Sequence, residues 1–263
     1  MIDSIKCTIR KRKINNISVL FVYNDTNLKK EVVFVFHQLL ENKESMLPLA
    51  YHLAMHNYFV VLLDLFEHGE NINSFEIQQE FNFQNYYECV YKTAKDIEDV
   101  YIDIMCTNKE IIVHNSQISC VGVSAGADVA LIAGYLYNNI KTVISVIGTL
   151  NWNINSKKLS EFKFYSRERR ALDHNKITND IQNYDPLLNY PHLKHLPRLM
   201  LLNGVLDTTM PISTVCEADE KMREIYVNAC CQHNIGMIKY KKAGHRLTAE
   251  MIKDVAKILK GEK

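Results

Sequence analysis

One serine, one aspartate and one histidine in this chain stand where acyl-transfer chemistry could use them. Ser124 lies in GVSAG, residues 122 to 126, between the apolar run ISCV and the small-residue run ADVALIAG. A G-x-S-x-G pattern on a strand-to-helix turn suits a nucleophile, because the serine is held in a strained conformation and its neighbours must not clash across the bend. The five residues alone also fit an ordinary tight turn. A serine hydroxyl attacks a carbonyl near neutral pH only if a positioned base takes its proton. His245, in KKAGHRLTAEM, follows the last strand-like run and precedes the amphipathic AEMIKDVAKILK. The third member must be a carboxylate that fixes the histidine tautomer. Asp207, in RLMLLNGVLDTTMPIS, comes a few residues after its own apolar run, although an aspartate there could equally cap a helix.

Such a serine also needs donors aimed at the developing oxyanion. The backbone N–H of Ala125, directly after the nucleophile, is the first expected donor. The N–H of Leu39, in the loop after EVVFVFH, is the second, with Gln38 as its neighbouring alternative.

Elements must present these groups on one side. Short apolar runs read as strands buried on both faces: 18 to 23, 31 to 37, 58 to 64, 118 to 124, 142 to 148, 198 to 204 and 236 to 244. Residues 45 to 57, 86 to 105 and 127 to 138 carry helical spacing between them. Strand alternating with helix implies an α/β fold with a mostly parallel, doubly wound sheet, whose ligands bind at the carboxyl ends of the strands. There stand His37, Gln38 and Leu39, then Asp64, Ser124, Asp207 and His245. The first two runs are joined by only NDTNLKK, too short for a crossover, which predicts an antiparallel hairpin between them at the N-terminal edge. Residues 151 to 190 break the alternation and read as a lid or cap insertion. Trp152, Phe162, Phe164, Tyr165 and Tyr184 in that stretch are candidates for an acyl or alcohol pocket, or for a packed surface excursion.

With 263 residues and 47% hydrophobic content, the chain is expected to form one α/β domain over 1 to 263. Its 31 basic and 30 acidic residues nearly cancel, which argues against a nucleic-acid partner and for a small molecule. No run approaches the roughly 18 apolar residues of a membrane span, pointing to the cytoplasm. Seven scattered cysteines without a C-x-x-C pair suggest free thiols rather than disulfides or a zinc site. His52 and His56, four apart on an expected helix without an acidic partner, read as helix-surface residues. Neither a metal nor a cofactor is expected.

In order along nearly the whole chain, FVFHQLLENKES, YFVVLLDLFEHGE, GVSAGA, LLNGVLDTTMPI and AGH resemble the motifs of the α/β-hydrolase superfamily. The resemblance is narrower to its small bacterial esterases related to dienelactone hydrolase and the prolyl oligopeptidase catalytic domain. The chain order Ser124, Asp207, His245 is the order of that fold's triad. Two positions depart: Gln38 stands where the family has Gly, and Asn203 replaces a His. His37, Lys43, Glu44, Asp64 and His68 match family positions and read as scaffolding. The resemblance implies a serine esterase that cleaves a small-molecule ester through an acyl-enzyme. A thioesterase or peptidase would use the same triad, and a non-catalytic binding protein of the same fold is the alternative from another class.

Overall fold

A computed structural model describes residues 5 to 71, 85 to 113, 117 to 150, 152 and 174 to 262, with nothing said of the side chains of 174 to 177. Eight strands form one sheet: β1 (Cys7–Ile14), β2 (Ile17–Asn24), β3 (Glu31–Phe36), β4 (Tyr58–Leu63), β5 (Ile118–Val123), β6 (Ile140–Val146), β7 (Arg198–Gly204) and β8 (Ile235–Tyr240). Their spatial order is β1-β2-β4-β3-β5-β6-β7-β8. β1 pairs antiparallel with β2, and β2 antiparallel with β4; every other pairing is parallel.

The expected edge hairpin exists, but not between the two strands named for it. β2 pairs with β1, and β4 lies between β2 and β3. Strand spacing explains the difference: stepping over one strand covers roughly 10 Å, which a link of six residues spans easily. A short link therefore excludes a helical crossover without requiring adjacency. β1 escapes a search for apolar runs because it reads CTIRKRKI. Its charged side chains are exposed along the sheet edge, where they discourage a further strand from pairing. Asn15 and Asn16, both at positive φ (46° and 70°), make the two-residue turn that matches the twist of the β1–β2 ribbon.

The central strands send alternate residues to two cores. Val32, Phe34 and Phe36 of β3 enter one cluster, Val33 and Val35 the other. The helices α1 (Leu47–Met55), α2 (Tyr86–Thr107), α3 (Ala125–Leu136), α4 (His174–Tyr184), α5 (Pro186–Asn189), α6 (Ile212–Asn228) and α7 (Ala249–Leu259) divide accordingly. α1 and α7 bury Leu49, Leu53, Met251 and Val255 on the second cluster, while α2, α3 and α6 bury Val90, Val129 and Met222 on the first. Each such side chain contributes roughly 1.5–3 kcal/mol. α3 mixes Ala and Gly with Val129, Leu131 and Ile132 in its buried surface, and the small residues let neighbours approach closely. At Gly134 a Cβ would come 2.4 Å from the Tyr190 hydroxyl. Among the described residues no helix is long and apolar enough to cross a membrane.

Candidate active site

β5 ends in Ser124, which has φ 55° and ψ −114°, a conformation unfavourable for any side-chain-bearing residue. Close packing on both sides holds it there. A Cβ on Gly122 would sit 1.8 Å from the Gly126 carbonyl oxygen, and one on Gly126 would sit 2.4 Å from the carbonyl oxygen of Phe36. Both glycines of the motif are thus required sterically. The second presses α3 against the end of β3, and so sets the elbow beside the loop that carries Leu39.

Asp207 and His245 come from the loops after β7 and β8. These loops are bonded to one another, with Val205 N–H donating to Tyr240 O and Leu206 N–H to Ala243 O, each 2.9 Å. At Gly204 a Cβ would meet Ala243 O at 2.3 Å, so the acid and base loops approach backbone to backbone. The buried Asp207 carboxylate accepts from Thr209 N–H and Met210 N–H through Oδ1, both 2.8 Å. Its other oxygen, Oδ2, accepts from His245 Nδ1 at 2.8 Å. That bond leaves Nε2 bare, and the Ser124 hydroxyl donates to it at 2.9 Å. The proton path from Oγ to Nε2 is therefore already in line. The three residues expected from sequence stand together; Asp207 closes the turn at Thr209 and Met210 and bonds His245, but it does not cap the following helix, whose N-cap is Pro211.

The loop after β3, where the second oxyanion donor is expected, is held by a different set of groups. Phe36 and Gly122 are paired across β3 and β5, which puts Leu39 and Ala125 on neighbouring strand ends. Ala125 is the first residue of α3, where an N–H has no acceptor inside its own helix. The Gln38 side chain turns along its own loop, Nε2 donating to Glu41 Oε1 at 3.0 Å. Leu40 takes φ 63° and is exposed. Behind the loop, fully buried Lys43 binds fully buried Asp64, Nζ to Oδ2 at 2.7 Å and N–H to Oδ1 at 2.8 Å. Glu70 N–H adds a third donor to Asp64 at 3.0 Å, and Glu70 in turn is held by Lys43, Lys11 and Ser18. At Gly69, with φ 54°, a Cβ would strike the Asp64 carboxyl at 2.3 Å.

A second buried carboxyl went unread in the sequence. Asp128, one turn into α3 from Ser124, accepts from Tyr86 Oη at 2.6 Å and Trp152 Nε1 at 3.2 Å. Burial pushes it up to about 7, and its two hydrogen bonds only partly offset that. A lone Asp in the otherwise apolar ADVALIAG was the available signal. Trp152 is correspondingly no pocket wall: it is fully buried and stacks on Tyr87, ring centroids 4.6 Å apart. Tyr184 stacks on Tyr91 at 4.2 Å. Phe162, Phe164 and Tyr165, with most of the expected lid, lie outside the described residues. His52 and His56 meet edge to face at the end of α1, and all seven cysteines are free thiols.

No protein-family model matches this sequence, and no curated protein matches it. The fold has many solved counterparts. TT1662 from Thermus thermophilus superposes with a TM-score of 0.72 at 17% identity, over 97% of this chain and 98% of its own. The Pyrococcus furiosus esterase Pf2001 gives 0.66 at 16% identity, over 98% and 93%. The acylaminoacyl peptidase of Pyrococcus horikoshii gives 0.70 at 14% identity, over 98% of this chain but 41% of that longer one. The architecture is the α/β-hydrolase fold: a mostly parallel eight-stranded sheet with an antiparallel edge, helices on both faces, and a strained elbow after the fifth strand.

Proposed function

We propose that the chain is a serine hydrolase of the carboxylesterase type, acting on a small carboxylic ester. The observation that carries this reading is the hydrogen-bonded series Ser124 Oγ, His245 Nε2, His245 Nδ1 and Asp207 Oδ2, with spacings of 2.9 and 2.8 Å, at the strained elbow. His245 takes the serine proton as Oγ attacks the ester carbonyl. The N–H groups of Leu39 and Ala125 receive the tetrahedral oxyanion, and Asp207 stabilises the imidazolium. The imidazolium then protonates the leaving alcohol. Water, deprotonated by the same histidine, releases the acid and restores Ser124.

Fold-level likeness to an esterase and to a peptidase supports hydrolysis without choosing the bond. An ester is the better assignment because its alkoxide leaves more readily than an amine. Wild type should turn over p-nitrophenyl acetate and take a fluorophosphonate label on Ser124. Ser124→Ala should lose the label and at least about 10⁴-fold in kcat. A Ser124→Ala protein that kept its turnover would refute the assignment, and an unlabelled, inactive wild type would favour a binding protein of the same fold.

A further inference from the structure

We infer that His37 is a positioning residue for catalysis, fixing the direction in which the Leu39 N–H points. The inference rests on the proposed function, in which that N–H receives the oxyanion. The carbonyl of Gln38 and the N–H of Leu39 belong to one peptide unit, and a trans peptide is planar with its C=O and N–H antiparallel. Whatever anchors the carbonyl therefore aims the N–H the opposite way. The Gln38 carbonyl has two anchors: the His37 ring, donating from Nδ1 at 2.7 Å, and Glu41 N–H closing the turn at a longer 3.2 Å. The ring is the stronger hold.

The ring can serve only as one tautomer, and its surroundings select it. His37 is fully buried, and its Nε2 accepts from Leu65 N–H at 2.9 Å, which requires a bare Nε2 and places the proton on Nδ1. Asp64 lies 3.9 Å from Nε2 and could compete for a proton there. Its oxygens, however, are occupied by Lys43 N–H, Lys43 Nζ and Glu70 N–H. Around the ring stand Lys43, Asp64 and His68, the last with its ring centroid 5.6 Å away. Burial pushes the imidazole down to about 4, with the His68 and Lys43 charges in the same direction and the Gln38 bond and Asp64 opposing. It stays neutral where an ester hydrolase with a histidine base works. The Lys43–Asp64 pair thereby acts on catalysis at one remove: it keeps Asp64 from claiming the His37 ring.

The two amide replacements separate this role from packing. Asn places its Nδ2 donor near the position of Nδ1 and can still hold the Gln38 carbonyl; Gln reaches only the Nε2 position. His37→Gln should lower kcat on p-nitrophenyl acetate roughly 10²-fold, the scale of one lost oxyanion donor, with KM changed less than about threefold. His37→Asn should recover at least about tenfold of that loss. A second readout is the preference for an ester over its thionoester, whose sulfur accepts hydrogen bonds poorly. That preference should shrink in the Gln variant and persist in the Asn variant. Equal losses in both variants, or a loss in KM alone, would overturn the positioning role. If neither variant folds, ¹⁵N spectra of histidine-labelled wild type decide: a locked Nδ1–H tautomer at His37 supports the assignment, and an Nε2–H tautomer ends it. Should Ser124→Ala remain active, the proposed function fails, whatever the His37 variants do.

Discussion

Asp64 and Asp128 are both buried carboxyls, and the fold treats them in opposite ways. Asp64 is given a cation, Lys43, and two further backbone donors. Asp128 is given, among the described residues, a phenol and an indole. A buried ion is tolerated when a partner charge and hydrogen bonds replace its water; neutral donors replace only part of it. The side carrying Leu39 therefore holds its carboxyl with a partner charge and backbone donors, while on the side joining α2, α3 and Trp152 burial raises the Asp128 carboxyl to about 7.

The largest effect should come from breaking the paired side. Lys43→Met keeps most of the volume but strands the Asp64 charge, and should cost roughly 3–5 kcal/mol in urea unfolding. A loss below about 1 kcal/mol would mean the pair carries little.

The next test concerns sign. Asp128 has a raised folded-state pKa, so the folded chain binds more protons than the unfolded one between about pH 4 and 7, and stability is lost as pH rises through that window. Asp128→Asn should remove a fall of about 2 kcal/mol between pH 5 and 7, read as the difference between the two proteins' stability curves. His37, with its lowered pKa, acts in reverse: there the unfolded chain binds more protons, and stability is lost as pH falls from about 6.5 toward 4. Between pH 5 and 7 the two slopes oppose each other. A curve for Asp128→Asn parallel to wild type would remove the contrast between the two carboxyls.

The smallest effect should follow from Trp152→Phe, which keeps the stack on Tyr87 and deletes one donor to Asp128. A loss of about 1 kcal/mol at pH 7, shrinking at pH 5 where Asp128 is protonated, is expected. A pH-independent loss would assign the whole effect to packing.

The candidate triad was legible because its signals are local: each residue follows an apolar run, and two glycines bracket the serine. The loop after β3, the proposed oxyanion loop, was half legible. His37 and Asp64 could be placed at strand ends, but that Asp64 would be claimed by Lys43, leaving the His37 ring to Gln38 and Leu65, depends on contacts across 21 to 28 residues. The cluster of Tyr86, Asp128 and Trp152 was illegible for the same reason. Its members come from three separate segments, and an aromatic in a polar insertion reads as a pocket until its partners are known. β1 was hidden because alternation with Lys and Arg on an edge looks like a charged arm, and α6 because its apolar stripe is thin. The misplaced hairpin shows a limit of loop length as evidence: it sets an upper bound on distance, and two arrangements met the bound.

Ser124 and His245, the nucleophile and base of the proposed reaction, are 121 residues apart in the chain. Synthesis at about 5–20 residues per second separates their appearance by on the order of 10 s. Through that interval Ser124 lacks the His245 ring that accepts its proton in the folded chain. The loop that carries Asp207 also lacks its support, since Val205 and Leu206 bond to Tyr240 and Ala243, which are made later. The series from carboxylate to hydroxyl, and with it the proposed chemistry, can close only after the loop following β8 has been made.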